Sequence, residues 1–298
     1  MTTGGGELME QLSLEARVAR LEDESPIALE SVDLTVNAPA PLRRRFEEIF
    51  AYIATVEGAV PQNVADITAL LPGLGPLDRR FLSVWEGHEL AHAAIFDALR
   101  AELGLPARPG ADRSARPARP ARPRRSFRAY GTLARIPWLH DVFTLVYLVR
   151  GAMNEHMTYD CYRHLGRHFD ALGEHGLTRT VTEPIRRQEA AHLGYYRLAA
   201  ATHRRSLSPA QVRLAGRITV ATYALVGSTP AGRAESGRVC TVLAGDHLDA
   251  VLDSVQDLAD HLLGDDDRPL PPFVQQAMAE SLGHDAPRPG LTVRPAWS

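Results

Sequence analysis

WEGHELAH, residues 85–92, and RRQEAAH, residues 186–192, decide how this chain folds. Each carries a glutamate and a histidine three residues apart, Glu89/His92 and Glu189/His192. On an α-helix that spacing puts carboxylate and imidazole on one face, where both reach one metal ion. Two such pairs are the half-sites of a dinuclear carboxylate centre in an antiparallel helix bundle, which needs one further inward glutamate before each pair. Glu57 in IATVEGAVPQ (53–62) and Glu155 in VRGAMNEHMTYD (149–160) fill those places. The ligand set is then Glu57, Glu89, His92, Glu155, Glu189 and His192. Its carboxylates can neutralise two divalent cations, and its imidazoles suit iron better than magnesium or calcium.

Outward from these motifs the pattern stays helical. Phe81, Trp85, His88, Glu89, His92 and Phe96 recur at three- and four-residue intervals, the inward stripe of a helix over 77–103. Similar spacing predicts helices over 7–24, 42–60, 139–172, 180–206, 208–226 and 239–263, with Pro61 ending or kinking the second of them. Val/Ile/Thr alternation long enough for a sheet is nearly absent, so the expected class is all-α. The expected organisation is an N-terminal helix and strap over 1–41, a metal-holding helical domain over 42–264, and a flexible tail over 265–298. Residues 106–128 read as a loop insertion, because eight arginines and five prolines against one acid deny a helix. That stretch is either a plain surface loop or a landing strip for an acidic partner, with nucleic acid a weaker candidate.

Composition excludes some classes. Charged residues at 23% and hydrophobic ones at 45% are those of an ordinary globular protein, and a net charge of −3 favours no particular partner. Every basic residue is arginine, which reads as codon bias. Cys161 and Cys240 are too few for a disulfide framework and fit a reducing compartment. With no signal pattern and no apolar run of membrane-spanning length, a cytoplasmic protein with no membrane insertion and no nucleic-acid partner is expected.

His88-Glu89-Leu90-Ala91-His92 also spells H-E-x-x-H, the zinc-protease motif. Three features oppose that reading: the second Glu-x-x-His pair goes unexplained, no substrate-binding sheet precedes the helix, and Glu57 is idle. His88 is offset one position from Glu89 and is expected beside a ligand, not as one.

The ordered motifs resemble those of the soluble acyl-(acyl-carrier-protein) desaturases, ferritin-like diiron proteins, over about residues 42–206. VEGAVP resembles that family's T-E-E-A-L-P and aligns Glu57 with its first ligand. WEGHELAH resembles W-T-A-E-E-N-R-H, placing Trp85 four residues before Glu89. NEHMT resembles Q-E-R-A-T, aligning Glu155 and the oxygen-side threonine, Thr158. QEAAHLGYY resembles D-E-K-R-H-E-T-A-Y, aligning Glu189 and His192. The sequence departs at Ala91 and Ala191, arginines in the family, at His88, an acid there, and at Gln188, an aspartate there.

The resemblance implies a ferritin-like antiparallel four-helix bundle core with additional helices, two iron ions, and dioxygen as co-substrate. It implies desaturation of an acyl chain on acyl carrier protein, with electrons from a ferredoxin-type donor and a homodimeric assembly. Thr158 and Trp85 are the expected catalytic residues, and Phe81, Phe96, Leu145 and Leu148 either line an acyl channel or simply pack the core. Hydroxylation or N-oxygenation of a small metabolite is the alternative. Iron storage or binding is a remoter one, with the zinc protease.

Overall fold

A computed structural model of the chain describes residues 3–108, 121–264 and 269–283, with side chains from residue 13 onward. Its main elements are helices α1 (Thr3–Asp23), α2 (Pro39–Glu57), α3 (Val60–Leu70), α4 (Pro76–Glu102), α5 (Arg125–Leu133), α6 (Pro137–Ala171) and α7 (His175–Leu177). After them come α8 (Glu183–Arg205), α9 (Pro209–Thr222), α10 (Arg233–Ala244), α11 (Leu248–Leu263) and α12 (Phe273–Ser281). A π turn, Thr178–Thr182, joins α7 to α8 without a break. No strand occurs among the described residues, and the protein is all-helical. None of the described helices is long and apolar enough to cross a membrane.

Proline starts most of the long helices. It occupies one of the first two positions of α2, α3, α4, α6, α8 and α9, where its missing N–H goes unneeded and its fixed φ is already helical. Pro61 accordingly opens α3, an 11-residue helix that the sequence pattern does not announce. The helix expected over 239–263 is two helices. Gly245 breaks it at φ 53, a conformation that costs glycine nothing and other residues strain.

Two further expectations need correction. The arginine-rich stretch is not a loop to residue 128, since α5 begins at Arg125. Its near end is tied down as well: the Arg124 N–H donates to Asp66 Oδ1 at 2.7 Å, and Gln62 donates to the Arg122 carbonyl at 3.0 Å. Residues 109–120, the middle of the stretch, lie outside the described residues. The tail is not loose over 273–281 either, because Phe273, Val274, Ala277 and Met278 are buried against α10 and α11. Flanking prolines and acids mask that short apolar stripe in the sequence. Residues 265–268 and 284–298 lie outside the described residues.

The functional helices pack in pairs. α6 runs beside α8, and α2 beside α4. α6 and α8 meet over Gly151, where an added Cβ would lie 2.3 Å from a Tyr196 ring carbon, so the helices close only because no side chain stands there. The buried Glu174 carboxylate, just before α7, accepts from the N–H groups of Asn37 (3.0 Å) and Ala38 (2.6 Å), pinning the turn after α6 to the start of α2. Two apolar clusters result. One holds Phe81, Trp85, Tyr195 and Tyr196; the other holds Phe46, Phe50, Phe96 and Phe169.

Candidate metal centre

Between those two clusters lie the buried acids. α2 supplies Glu57, α4 supplies Glu89 and His92, α6 supplies Glu155, and α8 supplies Glu189 and His192. All six are 6% exposed or less, with both histidines at 0%. Burial of four carboxylates without compensation is costly enough that an arrangement of this kind needs a positive partner.

Their ligand atoms fall into two groups, each within 4.8 Å: Glu57, Glu89, His92 and Glu189, then Glu89, Glu155, Glu189 and His192. Glu89 and Glu189 belong to both. Each group therefore has one imidazole and one glutamate of its own, plus the shared pair. His92 Nδ1 lies 3.1 Å from Glu89 and 3.2 Å from Glu189. His192 Nδ1 lies 3.3 Å from Glu89, 3.5 Å from Glu155 and 3.7 Å from Glu189. Both Nδ1 atoms thus face the carboxylates. Both oxygens of Glu189 and Nδ1 of His192 are buried without a hydrogen bond. Orphaned donors and acceptors converging on one point are what a cation fits, and these Glu/His groups can hold a metal ion.

The outward nitrogens are held by the two residues that depart from the desaturase pattern. His192 Nε2–H donates to His88 Nδ1 at 3.0 Å, and His88 Nε2–H donates to the Glu24 carbonyl at 2.7 Å. His92 Nε2–H donates to Gln188 Oε1 at 2.8 Å, and the Gln188 amide donates to the Ser25 carbonyl at 3.3 Å. Both chains end on adjacent backbone carbonyls just after α1. His88 belongs to neither ligand group, which removes the histidine pair the zinc motif requires.

Electrostatics divide the six residues. Burial pushes the Glu57 and Glu155 carboxyls well up, and the neighbouring carboxylates push the same way. Burial would also raise Glu89 and Glu189, but hydrogen bonds from His192 and His92 carry Glu89 well below the usual range and lower Glu189. Burial disfavours the imidazolium of His92, yet Glu189 and Glu89 raise it to about 10, and His192 is raised well above its usual value in the same way. Burial and the neighbouring His192 lower His88 to about 4, so it stays neutral and can accept at Nδ1. Without metal the cluster is therefore two neutral carboxyls, two carboxylates and two imidazoliums, with no net charge.

Thr158 and Trp85 lie nearby in different roles from those expected. The Thr158 hydroxyl donates to the Asn154 carbonyl at 2.9 Å, the local back-bond available to a helical threonine. Trp85 packs edge-on against Tyr196 with its indole N–H unpartnered among the described residues. Phe81, Phe96, Leu145 and Leu148 are core, at 0–3% exposure. The sequence reading missed Tyr162, whose hydroxyl donates to Glu57 Oε1 at 2.9 Å. It sits seven residues after Glu155, two helical turns along the same face, which is the signal that could have found it. A cavity of about 30 Å³ opens beside Glu57, lined by Tyr52, Thr158, Cys161, Tyr162 and Cys240 among others.

Comparison of the chain with protein-family models, with curated proteins and with solved structures finds no match.

Proposed function

We propose that this protein is an oxygen-dependent oxidoreductase with a carboxylate-bridged pair of iron ions, built on α2, α4, α6 and α8 as a ferritin-like four-helix core. One observation carries the reading: two ligand groups that share Glu89 and Glu189. A single-ion site has no use for the sharing, whereas two ions a few ångströms apart need anions between them. Glu57 and His92 complete one position, and Glu155 and His192 the other. Iron bound there supplies dioxygen reduction and oxidation of an unactivated C–H bond. The chain's own contributions are to fix each imidazole by its outer hydrogen bond, to keep bulk water out with two apolar clusters, and to hold a hydroxyl, that of Tyr162, on Glu57.

The desaturase resemblance gives the substrate class: an acyl chain on acyl carrier protein, with a ferredoxin-type electron donor and a dimer. A second reading, hydroxylation or N-oxygenation of a small metabolite, is favoured by the cavity. About 30 Å³ is the share of one water molecule, room for dioxygen beside Glu57 and not for an acyl chain. An acyl substrate requires α2, α6 and α10 to part at Tyr52, Cys161 and Cys240.

Metal analysis of the purified protein, followed by oxygen uptake with a chemical reductant, tests the proposal. About two irons per chain are expected, with uptake that rises when the true substrate class is added. One zinc per chain that survives Glu189→Ala would sink it. Uptake that yields only ferric mineral would leave an iron store.

A further inference from the structure

The corner between α5 and α6 is chemically unlike the rest of the molecule. From residue 121 to residue 140 the sequence holds five arginines, Arg122, Arg124, Arg125, Arg128 and Arg135, and no aspartate or glutamate, in a chain whose net charge is −3. Arg124 is drawn to Asp66 at 3.4 Å; the other four are exposed and pair with no acid among the described residues. Within the same corner Leu133, Ile136 and Trp138 stand 46%, 51% and 44% exposed. Three large apolar side chains within six residues are three of the seven exposed large hydrophobics found among the described residues. The corner is also firmly seated. α5 docks on α3 so closely that a Cβ at Gly131 would fall 1.9 Å from the Ala69 carbonyl oxygen, so the apolar tips are presented by rigid backbone.

We propose that this corner docks the protein on an anionic lipid surface. Leu133, Ile136 and Trp138 enter the headgroup–acyl boundary, and Arg125, Arg128 and Arg135 meet the lipid phosphates around them. Tryptophan suits that boundary because its ring body is apolar and its N–H polar. Arginine suits it because its stem can lie on apolar surface while its fork binds phosphate in two hydrogen bonds. Apolar tips ringed by like charge are the composition of an interfacial anchor, which lies on a bilayer and does not span it. An acidic protein would answer the arginines but gives no reason for three bulky apolar side chains projecting from a helix corner. The inference is independent of the metal centre, since none of these residues touches it.

The test is sedimentation of the full-length protein with vesicles of phosphatidylcholine alone and of phosphatidylcholine mixed with phosphatidylserine, at low and raised salt. Binding is expected only to the mixed vesicles and should weaken as salt rises. Arg125→Glu with Arg128→Glu should reduce partitioning by at least about tenfold, since each basic residue near such a surface contributes roughly one kcal/mol. Leu133→Ser, Ile136→Ser and Trp138→Ser together should abolish it while circular dichroism stays unchanged. All these side chains are exposed, so the variants should fold. The arginines of 109–120 are intact in both variants. Binding retained at full strength in the serine variant would therefore assign the attraction to those arginines and overturn the proposal. Failure to bind mixed vesicles at low salt, with binding to polyglutamate instead, would overturn it in favour of an acidic protein partner.

Discussion

At His192 one ring nitrogen faces three carboxylates while the other rests on a neutral imidazole, which itself rests on a peptide carbonyl. An outer partner without charge still fixes the ring but withdraws the electron donation a carboxylate would give. His88→Ala and Gln188→Ala should therefore leave both metal positions present and weaken them by about 10–100-fold in a competition titration. His192→Ala should empty its own position. The ligand assignment is wrong if His88→Ala strips the metal and His192→Ala does not. A second consequence concerns protons. Two carboxyls and two imidazoliums hold one proton each in the metal-free cluster. Two divalent ions should displace about four protons near neutrality, leaving the charge unchanged. Calorimetry in buffers of different ionisation enthalpy measures that number, and release of fewer than about two would contradict the proton inventory. The six ligand residues were legible in the sequence because side chains at i and i+3 have a fixed geometry. The carbonyls of Glu24 and Ser25 were not, because a peptide group accepts a hydrogen bond whatever its side chain.

Among the elements, the ligand helices were read to within a few residues, because each is long and its apolar stripe repeats many times. The short ones, α3, α5 and α12, escaped for the converse reason: nine to eleven residues give too few turns for a period to show. The close approach of α6 and α8 also left no trace beyond a lone glycine inside an otherwise helical run. Gly151→Ala puts a methyl into the Tyr196 ring. Ring and helix must then shift, and overpacking of this kind costs about 1–3 kcal/mol. A lower Tm is expected, and because Glu155 lies one turn from Gly151, weaker metal binding with it. An unchanged Tm would mean that the helices part without cost at this level.

For the molecule as a whole, the centre ties four helices together and sets how stability depends on pH. In the metal-free protein His92 is raised to about 10 from an ordinary 6.5, so its stabilising contribution is complete below 6.5 and is lost as pH climbs through 10. Glu57 and Glu155 act in the same sense. Each is kept neutral in the fold but ionises above about 4.5 in the unfolded chain, so each opposes folding more as pH rises. The metal-free protein should thus lose thermal stability steadily between pH 7 and pH 10. The loaded protein, whose cations replace those protons, should show a flatter profile. Melting curves of both forms across that range decide the matter, and parallel profiles would mean that the cluster carries little of the fold.

The π turn at Thr178–Thr182 bears on how such a protein could arise or be lost. A π turn holds one residue more than the α-helical path it replaces. Upstream, Glu174 fastens the chain to α2; downstream, α8 continues for 23 residues and carries Glu189 and His192. Deleting a single codon within 178–182 would advance everything after it by one position, turning α8 by about 100° relative to its anchor. Glu189 and His192 would leave the cluster together, although no ligand had been altered. The hereditary distance between a six-ligand centre and a helical protein without one is, at this turn, three nucleotides.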